Sequence, residues 1–480
     1  MIDPRGEGRF HYAGVGGSGM SALAQFQVLL GGKASGSDRS FDQGGREEAR
    51  SQLQRLGVQL FPQDGSGVRA PGCAALVVST AVEETVPDVI AARELGLPIL
   101  HRSELLAHFV ASHRTLAVSG TSGKSTVVAM TFELLRGAGR DPSVITGGDL
   151  ELLRAEGLWG NAWRGGELLA IEADESDGSL VRYEPAVAVV LNLQKDHKPE
   201  PEVLTMFETF VMRTREAVVL GEGENLASVV AAARGRRLPV VTFGFGPEAH
   251  VRPEDGTLEL GPRASSFVVR GTRFTLPVPG RHNVENALAA LAGASVVGVP
   301  PSELVAPLST FKGVGRRFQT IGVANGVEVI DDFAHNPAKM IAALTTAQRR
   351  VAPSGGRVLA VYQPHGYGPT RFLREDFVQT FASTLGPLDR VWWLEVFYAG
   401  GTTVRDFSSA DIVRQISGLG IGERAAFAES REALVSAIAH EAKPGDVVLV
   451  MGARDPSLTG LARRIVDAIA ADVAERAPRS

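Results

Sequence analysis

Short apolar runs alternate with longer stretches of helical character along the whole chain. Residues 74–78, 186–191 and 447–451 are continuously apolar, which is typical of strands buried on both faces of a sheet. A helical stretch such as residues 87–95 ends at a glycine, the usual signal for a helix C-terminus. The alternation of the two patterns predicts parallel α/β units.

These units form three consecutive blocks. The first opens with a predicted strand at residues 10–13 that enters a glycine-rich turn, and the second opens with a strand at residues 114–119 that enters another. The third begins near Val314 and contains further strand and helix patterns. A chain of this length is expected to hold several domains. We therefore predict domains at residues 1–112, 113–313 and 314–480.

Charge and composition exclude several kinds of partner. The 480 residues include 49 basic and 54 acidic residues, for a net charge of -5, without a basic run, so no nucleic acid partner is expected. The sequence has no apolar stretch of about 18 residues and no signal-peptide core near its start. We therefore expect a cytoplasmic protein that does not bind membranes. The single cysteine, Cys73, excludes an intramolecular disulfide and is interpreted as a small buried strand residue.

The most informative local motif is a glycine-rich loop between a predicted strand and a predicted helix. The glycines allow backbone N–H groups to turn towards phosphate oxygens, and the helix N-terminus adds partial positive charge. Lys124 supplies a cation for the β- and γ-phosphates, and Ser125 a hydroxyl for Mg²⁺. The full phosphate-loop motif has a further glycine upstream, which this chain lacks, and residue 117 is alanine. The strand before the loop and the helix after it nevertheless predict a nucleotide-phosphate site. The residues of this loop are Gly120, Thr121, Ser122, Gly123, Lys124, Ser125 and Thr126.

Acidic residues and a histidine follow the next predicted strands. Glu172 ends one strand and His197 follows another. Sheets of this class present ligands at such strand ends, and Mg²⁺ prefers oxygen ligands shared with phosphates. Together with the loop, Ser125, Glu172 and His197 are predicted to hold Mg²⁺, and positioning of the substrate is the other interpretation of His197. Two interpretations remain open for three neighbouring carboxylates, as site residues or as solvated loop charges: Asp174, Glu175 and Asp177.

A second glycine-rich turn lies near the N-terminus. A turn from strand to helix binds anions, and on this motif alone a dinucleotide is as good an interpretation as another diphosphate. The acidic residue that a dinucleotide site needs about 20 residues further on is represented only by Asp38. The predicted anion-binding residues are Gly16, Gly17, Ser18, Gly19 and Met20.

Nine motifs, in one order and spanning almost the whole chain, resemble the Mur ligase family. The resemblance implies an α/β fold of three domains: a Rossmann-like N-terminal UDP-binding domain, a central P-loop ATPase domain and a C-terminal Rossmann-like domain. The motifs are HYAGVGGSGMSALA, SGSD, GTSGKST, EADESDGS, LNLQKDH, PGRHNVENALAA, GVGRRFQ, DDFAHNP and YQPHGYGPTR.

The resemblance also implies an activity. Members of the family use ATP and Mg²⁺ to activate a carboxylate as an acyl phosphate, which an amine then attacks. Here the expected reaction joins an amino acid, L-alanine by default, to UDP-N-acetylmuramate in peptidoglycan biosynthesis. The partners would be that nucleotide sugar and an amino acid or peptide acceptor, and the chain would be a monomer or a homodimer.

Individual roles follow from the same resemblance. The nucleotide-sugar pocket would be completed by Ser37, Asp38, Ser79 and Thr80. ATP would be held, beyond the phosphate loop, by Asn283, Asn286, Arg317 and Asp332. The catalytic residues would be Lys124, His197, Arg317 (with Arg316 beside it) and His335. The acceptor would also meet His365 and Arg371. Read from its residue type alone, Asn283 is a helix cap.

Three positions depart from the family pattern where the amino acid should bind. Asn336 replaces a histidine, and Gly366 and Pro369 stand where basic residues are expected. Either Arg371 compensates, with Arg454 as a further candidate cation, or the acceptor is not free L-alanine. The DDFAH stretch also resembles family members that attach a recycled murein peptide.

Two alternatives lie outside ligation. A regulator that binds a UDP-sugar and ATP without joining substrates would not need every catalytic charge, yet Lys124, Glu172 and Arg317 are all present. An NAD-dependent dehydrogenase would rest on the first glycine-rich turn alone. Both are weaker interpretations than a ligase.

Overall fold

The computed structural model of the protein describes residues 3–194, 198–398 and 404–476, with the backbone alone for residues 473–476. The chain forms two compact units. The first comprises residues 1–258, 267–277 and 284–314, and the second comprises residues 259–266, 278–283 and 315–480.

The N-terminal domain is a parallel sheet with helices around it. Its strands lie in the order β3-β2-β1-β4-β5, so β1 has β2 on one side and β4 on the other. The loops after these three strands therefore meet at the edge where such sheets bind ligands. The elements, in chain order, are β1 (Arg9–Ala13), α1 (Ser18–Leu29), β2 (Lys33–Ser37), α2 (Arg39–Asp42), α3 (Glu47–Arg55), β3 (Gln59–Leu60), α4 (Ser66–Arg69), β4 (Cys73–Val78), α5 (Pro87–Glu94), β5 (Ile99–His101) and α6 (Arg102–Ser112).

The central domain contains a second sheet, in the order β12-β11-β10-β6-β9-β7-β8. Strand β6 pairs in parallel with both β9 and β10, which places the phosphate loop after β6 between the loops that follow those strands. The elements up to residue 243 are β6 (Arg114–Ser119), α7 (Lys124–Gly137), β7 (Ser143–Ile145), α8 (Glu151–Ala155), β8 (Ala162–Trp163), β9 (Leu168–Glu172), β10 (Val187–Val190), α9 (Glu200–Met212), β11 (Ala217–Gly221), α10 (Ala227–Gly235) and β12 (Val240–Phe243). The elements that follow are β13 (Glu259–Leu260), β14 (Ser265–Val269), β15 (Thr272–Leu276), α11 (Arg281–Val296) and α12 (Pro301–Ser309).

A buried amide pair joins the first two sheets inside the first unit. The Gln25 side chain on α1 donates to Asn161 Oδ1 at 2.7 Å. The Asn161 amide in turn donates to Ser21 Oγ at 2.9 Å and to the Ser18 carbonyl at 3.0 Å. Asn161 is fully buried and Gln25 is nearly so. Buried polar groups of this kind are costly to leave unpaired, so the pairing adds to the shared hydrophobic core that holds the two sheets in one compact unit.

The C-terminal domain has a sheet in the order β16-β17-β21-β18-β19-β20. Strand β16 is antiparallel to β17, and the other paired strands are parallel. The loops after β17, β21 and β18 therefore lie side by side. The elements are β16 (Gln319–Ala324), β17 (Val327–Asp332), α13 (Pro337–Val351), β18 (Val358–Tyr362), α14 (Tyr367–Phe372), α15 (Arg374–Thr384), β19 (Arg390–Trp393), α16 (Ser409–Ile416), β20 (Ala425–Phe427), α17 (Arg431–Glu441), β21 (Val447–Met451) and α18 (Leu458–Arg476).

The structure confirms the predicted α/β class and its three-domain architecture. The antiparallel edge strand β16 is absent from the prediction, because its residues do not form an apolar run. Cys73 begins β4 and is half-buried, and burial raises the pKa of its thiol. Among the described residues, none of the helices is both long enough and apolar enough to cross a membrane.

Glu133 on α7 is a buried acid that should make stability depend on pH. Its Oε2 accepts the Lys312 N–H at 3.1 Å, and Oε1 is buried without a hydrogen-bond partner. Burial raises the pKa of Glu133 from 4.5 to about 7. Because the folded pKa is the higher one, the folded chain binds the extra proton, and stability falls as the pH rises from about 4.5 through 7. The shift corresponds to roughly 3 kcal/mol.

We expect Glu133→Gln to remove much of the loss of stability that occurs as the pH rises. Between pH 5 and pH 8, the melting temperature of the wild type should fall by about 5 °C more than that of the variant. Thermal unfolding followed by circular dichroism at both pH values tests the difference. Glu303→Gln is a suitable control, because its carboxylate pairs with Arg140 at the surface. If the melting temperatures of wild type and Glu133→Gln depend equally on pH, Glu133 is not the group responsible.

Candidate active site

The phosphate loop is shaped by two glycines with positive φ. Gly120 (φ +137°) and Gly123 (φ +93°) flank the turn that leads from β6 into α7. A Cβ on Gly120 would lie 2.9 Å from the Leu191 side chain, and one on Gly123 would lie 2.5 Å from Asn286 Oδ1. Neither position accommodates a side chain. The same geometry places Asn286, predicted to bind adenine, directly beside the loop.

Lys124 is held by acidic neighbours. Its Nζ donates to the Gly120 carbonyl at 2.8 Å and to Glu175 Oε2 at 2.6 Å, and it lies 3.6 Å from Asp174 Oδ1. Burial alone would lower the pKa of Lys124, but the two carboxylates outweigh it, and the pKa stands above its ordinary value. Burial would raise the pKa of Asp174, but Lys124 and Ser176 outweigh this effect, and the pKa of Asp174 is lowered. Lys124 is thus a fixed cation at the start of α7.

Asn192, which the sequence analysis did not select, braces the loop. Its Oδ1 accepts the Thr121 hydroxyl at 2.9 Å and the Ser122 N–H at 3.0 Å, and its amide donates to the Ser122 carbonyl at 3.1 Å. The Ser122 hydroxyl donates to Gln194 at 3.2 Å. Asn192 lies in the LNLQKDH motif and follows β10, the neighbour of β6. The signal that could have found it was a polar residue at a strand end.

We expect Asn192→Ala to weaken nucleotide binding. The substitution leaves backbone groups of the loop without partners, at a cost of about 1–3 kcal/mol, and a loosened loop should bind ADP roughly 10-fold more weakly. Isothermal titration with ADP measures the effect. Asn225→Ala is the matched control, because the Asn225 amide bonds the Leu193 carbonyl and does not contact the loop. Equal ADP affinity in Asn192→Ala and wild type would refute the bracing role.

Two of the three predicted magnesium ligands lie around one short loop, residues 146–148. Glu172 Oε1 accepts the Thr146 hydroxyl and the Gly147 N–H, the latter at 2.9 Å. A Cβ on Gly148 would lie 3.1 Å from Ser125 Cβ and 3.6 Å from its Oγ. A carboxylate and a hydroxyl are hard oxygen donors, and Mg²⁺ commonly binds one or two such groups together with substrate phosphates. These residues therefore fit magnesium.

His197, the third predicted ligand, lies outside the described residues. Within the described part of the chain, no group of three or more His, Cys, Asp or Glu side chains forms a metal site by itself. Ser125 is 6% exposed and Thr126 is 9% exposed. Only limited faces of these two loop residues are therefore open to a ligand.

The N-terminal turn is closed by Asp38. Its Oδ2 accepts the Gly16 N–H at 2.9 Å, and its Oδ1 accepts the Ser40 N–H at 2.9 Å, which caps α2. Gly17 is the N-cap of α1, so Ser18, Gly19 and Met20 form the first turn of that helix. Met20 is 4% exposed and belongs to the core.

The other residues predicted for the nucleotide-sugar pocket, Ser37, Ser79 and Thr80, differ in exposure. Ser79 is half-buried and Thr80 is exposed, directly after β4. Ser37 is fully buried, and its hydroxyl donates to Asp88 Oδ2 at 2.5 Å. Its backbone carbonyl accepts the N–H groups of Gly14 and Val15 at 2.8 and 3.0 Å. Ser37 therefore contacts the glycine-rich turn through its backbone.

Arg102 is a cation at this edge that the sequence analysis missed. A Cβ on Gly19 would lie 2.7 Å from its Nη1, so the guanidinium lies beside the first turn of α1. Its Nη2 pairs with Asp177 at 2.5 Å. Asp177, left open between a site role and a solvated charge, is 10% exposed in its side chain and connects the central domain to this turn. The signal for Arg102 was a basic residue immediately after β5.

The paired arginines of the C-terminal domain differ in environment. The Nε–H of Arg316 donates to both carboxylate oxygens of Asp331, at 3.1 and 3.3 Å, and its Nη2 donates to the Gly452 carbonyl at 2.6 Å. The Arg317 guanidinium lies 4.7 Å from the ring centroid of Phe333. Arg316 and Phe318 have φ of +58° and +50°, and residues with side chains adopt this region at a cost of about 1–2 kcal/mol. The Arg316 guanidinium also lies 5.1 Å from the Phe333 centroid, so the Asp331 contact of Arg316 is what distinguishes the two arginines.

Asp332 is held by backbone groups. Its two oxygens accept the N–H groups of Phe318 and Ala334, each at 2.7 Å. Burial raises the pKa of Asp332 to about 6, against the lowering effect of Arg317 and of these bonds. The carboxylate thus anchors the Arg317 loop.

The structure brings the predicted acceptor residues His335 and His365 together. Their ring centroids are 5.4 Å apart. His335 Nδ1 lies 2.9 Å from the Phe333 carbonyl, which only accepts, so Nδ1 carries a proton and Nε2 faces Lys339 Nζ at 3.4 Å. Asn336 caps α13 by accepting the Lys339 N–H at 3.0 Å, which gives this departure from the family pattern a helix-capping role.

The remaining departures lie around α14. Gly366 has φ +69° and precedes α14, which contains Pro369, so a basic side chain at residue 366 would strain the backbone. Arg371 pairs with Asp406, donates to the Val404 carbonyl at 3.2 Å and stacks on Phe407. Arg454 is exposed.

Asn283 has a different role from a helix cap. Helix α11 begins at Arg281, so Asn283 lies inside its first turn. The side-chain amide of Asn283 donates to the Pro279 carbonyl at 2.7 Å and is 8% exposed. Its contact with adenine stays a prediction.

Together, the braced phosphate loop, its lysine and the neighbouring oxygen donors define a nucleotide-dependent enzyme of three α/β domains. Three family descriptions match this chain in succession. They are "Mur ligase family, catalytic domain" over residues 9–114, "Mur ligase middle domain" over residues 118–294, and "Mur ligase, glutamate ligase domain" over residues 316–454.

Individual relatives agree. A UDP-N-acetylmuramate–L-alanine ligase of Agrobacterium fabrum is 35% identical over 474 residues, covering 94% of this chain and 95% of the relative. One of Streptomyces avermitilis is 34% identical, covering 97% and 98%. The crystal structure of the UDP-N-acetylmuramate–alanine ligase of Thermotoga maritima has a TM-score of 0.78 at 25% identity, covering 96% and 99%. A murein peptide ligase of Psychrobacter arcticus shares the fold, with a TM-score of 0.68 at 22% identity, covering 96% and 98%.

The chain belongs to the Mur ligase family. It is an ATP-dependent ligase that forms carbon–nitrogen bonds.

Proposed function

We propose that this ligase joins L-alanine to the lactyl carboxylate of UDP-N-acetylmuramate in the cytoplasm, as a step of peptidoglycan precursor synthesis. The observation that carries the proposal is the cluster at the ends of β6 and β9. Lys124 and Ser125 belong to the braced glycine-rich loop after β6, and the short loop of residues 146–148 contacts both Ser125 and Glu172. Relatives about 35% identical over nearly their whole length carry the name of this reaction.

The reaction needs little covalent help from the protein. A carboxylate oxygen of the sugar attacks the γ-phosphorus of ATP, the bond to the β–γ bridging oxygen breaks, and ADP leaves. The deprotonated amine of the acceptor then attacks the acyl carbon, the bond to phosphate breaks, and the amine proton passes to the departing phosphate or to solvent. Alignment and screening of negative charge are therefore the main tasks of the site.

Several residues would perform these tasks. Lys124 would leave Glu175 to contact the β- and γ-phosphates, and Arg317 would neutralise charge on the transferred group. Asn286 would read adenine beside Gly123. Ser125, Glu172 and His197 would hold Mg²⁺, which when bound screens the phosphate oxygens.

The nucleotide sugar is assigned to the edge of the N-terminal sheet. The first turn of α1 offers N–H groups to a diphosphate, and Arg102 lies beside Gly19. Because Asp38 already occupies the Gly16 N–H, the diphosphate would bind nearer to Gly19 and Arg102.

The acceptor site supports a second candidate, a ligase for another amino acid or for a peptide. The specific observation is Arg371, whose charge is paired with Asp406. The loss of a charged hydrogen bond to an acceptor carboxylate costs about 1.5–3 kcal/mol. His335, His365 and Lys339 form another group of nitrogen-bearing side chains in this domain that could bind the acceptor carboxylate.

The test is a substrate panel. ATP and UDP-N-acetylmuramate are combined with each common amino acid and with the tripeptide L-alanyl-γ-D-glutamyl-meso-diaminopimelate, and products are weighed by mass spectrometry. We expect ADP, phosphate and a product heavier by one alanine residue. Product with the peptide alone would favour the second candidate. Absence of any product, with ATP and the nucleotide sugar still bound, would favour a regulator.

A further inference from the structure

Thr146 contacts the carboxylate assigned to magnesium. It follows β7, which pairs in parallel with β9 so that Ile145 lies opposite Ile171. The next residues along the two strands, Thr146 and Glu172, therefore lie side by side. The Thr146 hydroxyl donates to Glu172 Oε1, and Thr146 is only 2% exposed.

The direction of this hydrogen bond is determined by a second contact. The Gly148 N–H donates to Thr146 Oγ1 at 3.2 Å, so the hydroxyl oxygen acts as an acceptor there and its proton is left for Glu172. The Gly147 N–H donates to the same carboxylate oxygen at 2.9 Å. With two donors on Oε1, the rotation of the carboxylate is restricted, and Oε2 is the oxygen through which Glu172 can meet a cation.

The other end of the loop contacts Ser125. A Cβ on Gly148 would lie 3.1 Å from Ser125 Cβ and 2.9 Å from Val314 Cγ1, so the backbone of residue 148 packs closely on the phosphate loop. Residues 146–148 therefore contact Glu172 at one end and Ser125 at the other.

We propose that Thr146 is a positioning residue, whose hydroxyl orients Glu172 towards the divalent cation that is bound between Glu172 and Ser125. This inference rests on the proposed function for its choice of cation. It assigns Thr146 no contact with substrate. Groups that orient metal ligands typically change metal affinity by about 10–100-fold when they are removed.

The test uses Mn²⁺ as a spectroscopic substitute for magnesium. The full chain saturated with ADP is titrated with Mn²⁺ and followed by electron paramagnetic resonance. Thr146→Val, which keeps the side-chain shape but removes the hydroxyl, should bind Mn²⁺ roughly 10-fold more weakly. Thr146→Ser, which keeps the hydroxyl, should bind within about threefold of wild type. The affinity for ADP in the presence of a chelator should be the same in all three proteins, which a general loss of structure would not produce.

Two reference variants complete the design. Thr115→Val removes another buried hydroxyl, one that bonds the Val110 carbonyl at 3.1 Å, and should bind Mn²⁺ like wild type. Glu172→Gln should lose more affinity than Thr146→Val. If Thr146→Val does not fold, Thr146→Ala compared with Thr146→Ser gives the same contrast.

The outcomes separate this inference from the proposed function. Wild-type Mn²⁺ affinity in Thr146→Val, together with weakened binding in Glu172→Gln, would overturn the role of Thr146 alone. Wild-type affinity in Glu172→Gln would overturn the assignment of the cation to this carboxylate, and the inference with it.

Discussion

Replacing Lys124 by alanine should lower turnover on the order of 10²–10³-fold, the usual effect of losing one preorganised charge in a catalytic site. Lys124 is the first residue of α7, and its Nζ is held by Gly120 and Glu175 beside the loop assigned to the phosphates. Steady-state phosphate release with saturating ATP, nucleotide sugar and acceptor measures the change.

The control must separate catalysis from folding. Without Lys124, Glu175 would be a carboxylate with a 6% exposed side chain and no cation, and breaking a buried pair in this way destabilises a protein by about 3–5 kcal/mol. The double variant Lys124→Ala with Glu175→Gln removes that charge and should regain thermal stability, while turnover stays low. Wild-type turnover in either variant would contradict the assignment of Lys124 to the phosphates.

Substitution by alanine should lower turnover at Arg317 and thermal stability at Arg316. Arg317→Ala should reduce turnover on the order of 10³-fold, as for an arginine that stabilises a transferred phosphoryl group, with little change in melting temperature. Arg316→Ala should instead destabilise the C-terminal domain by about 3–5 kcal/mol, because it leaves the fully buried Asp331 without its cationic partner.

The two measurements are turnover and thermal unfolding, made on both variants. Arg317→Lys is the conservative variant, which keeps the charge but loses the planar group that lies over Phe333, so it should recover only part of the rate. A stable Arg317→Ala enzyme with wild-type turnover would remove Arg317 from the phosphate site. A normal melting temperature in Arg316→Ala would show that the Asp331 pair is not structural.

The strand, tight turn and helix around the glycine-rich loop could be predicted from local sequence. Gly120, Gly123 and Lys124 are informative because a strand, a tight turn and a helix N-terminus follow one another within a few residues. Asn192 could not be found in this way, since its bonds to Thr121 and Ser122 join positions about 70 residues apart in the chain. Thr146 was missed for the same reason, because it meets Glu172 only after β7 pairs with β9.

The N-terminal and C-terminal sites show where residue type misleads. Ser37 and Asp38 are neighbours in one motif, yet the buried Ser37 hydroxyl donates to Asp88, whereas the Asp38 carboxylate accepts the Gly16 N–H. Asn336 appeared as a lost basic group, whereas its side chain caps α13. Arg102 and Asp177 lie 75 residues apart and form one ion pair.

By itself, the sequence determined the class of the fold, the order of its domains and the position of the glycine-rich turn between β6 and α7, because apolar periodicity and glycine spacing act over short stretches of chain. The tertiary structure alone decided which charges are paired and which face a ligand. Arg316 and Arg317 are identical and adjacent in sequence, and both guanidinium groups lie near the Phe333 ring. The left-handed turn and the buried Asp331, which pairs with Arg316, give them different environments. Such distinctions depend on desolvation and on partners brought from distant strands, which local sequence does not specify.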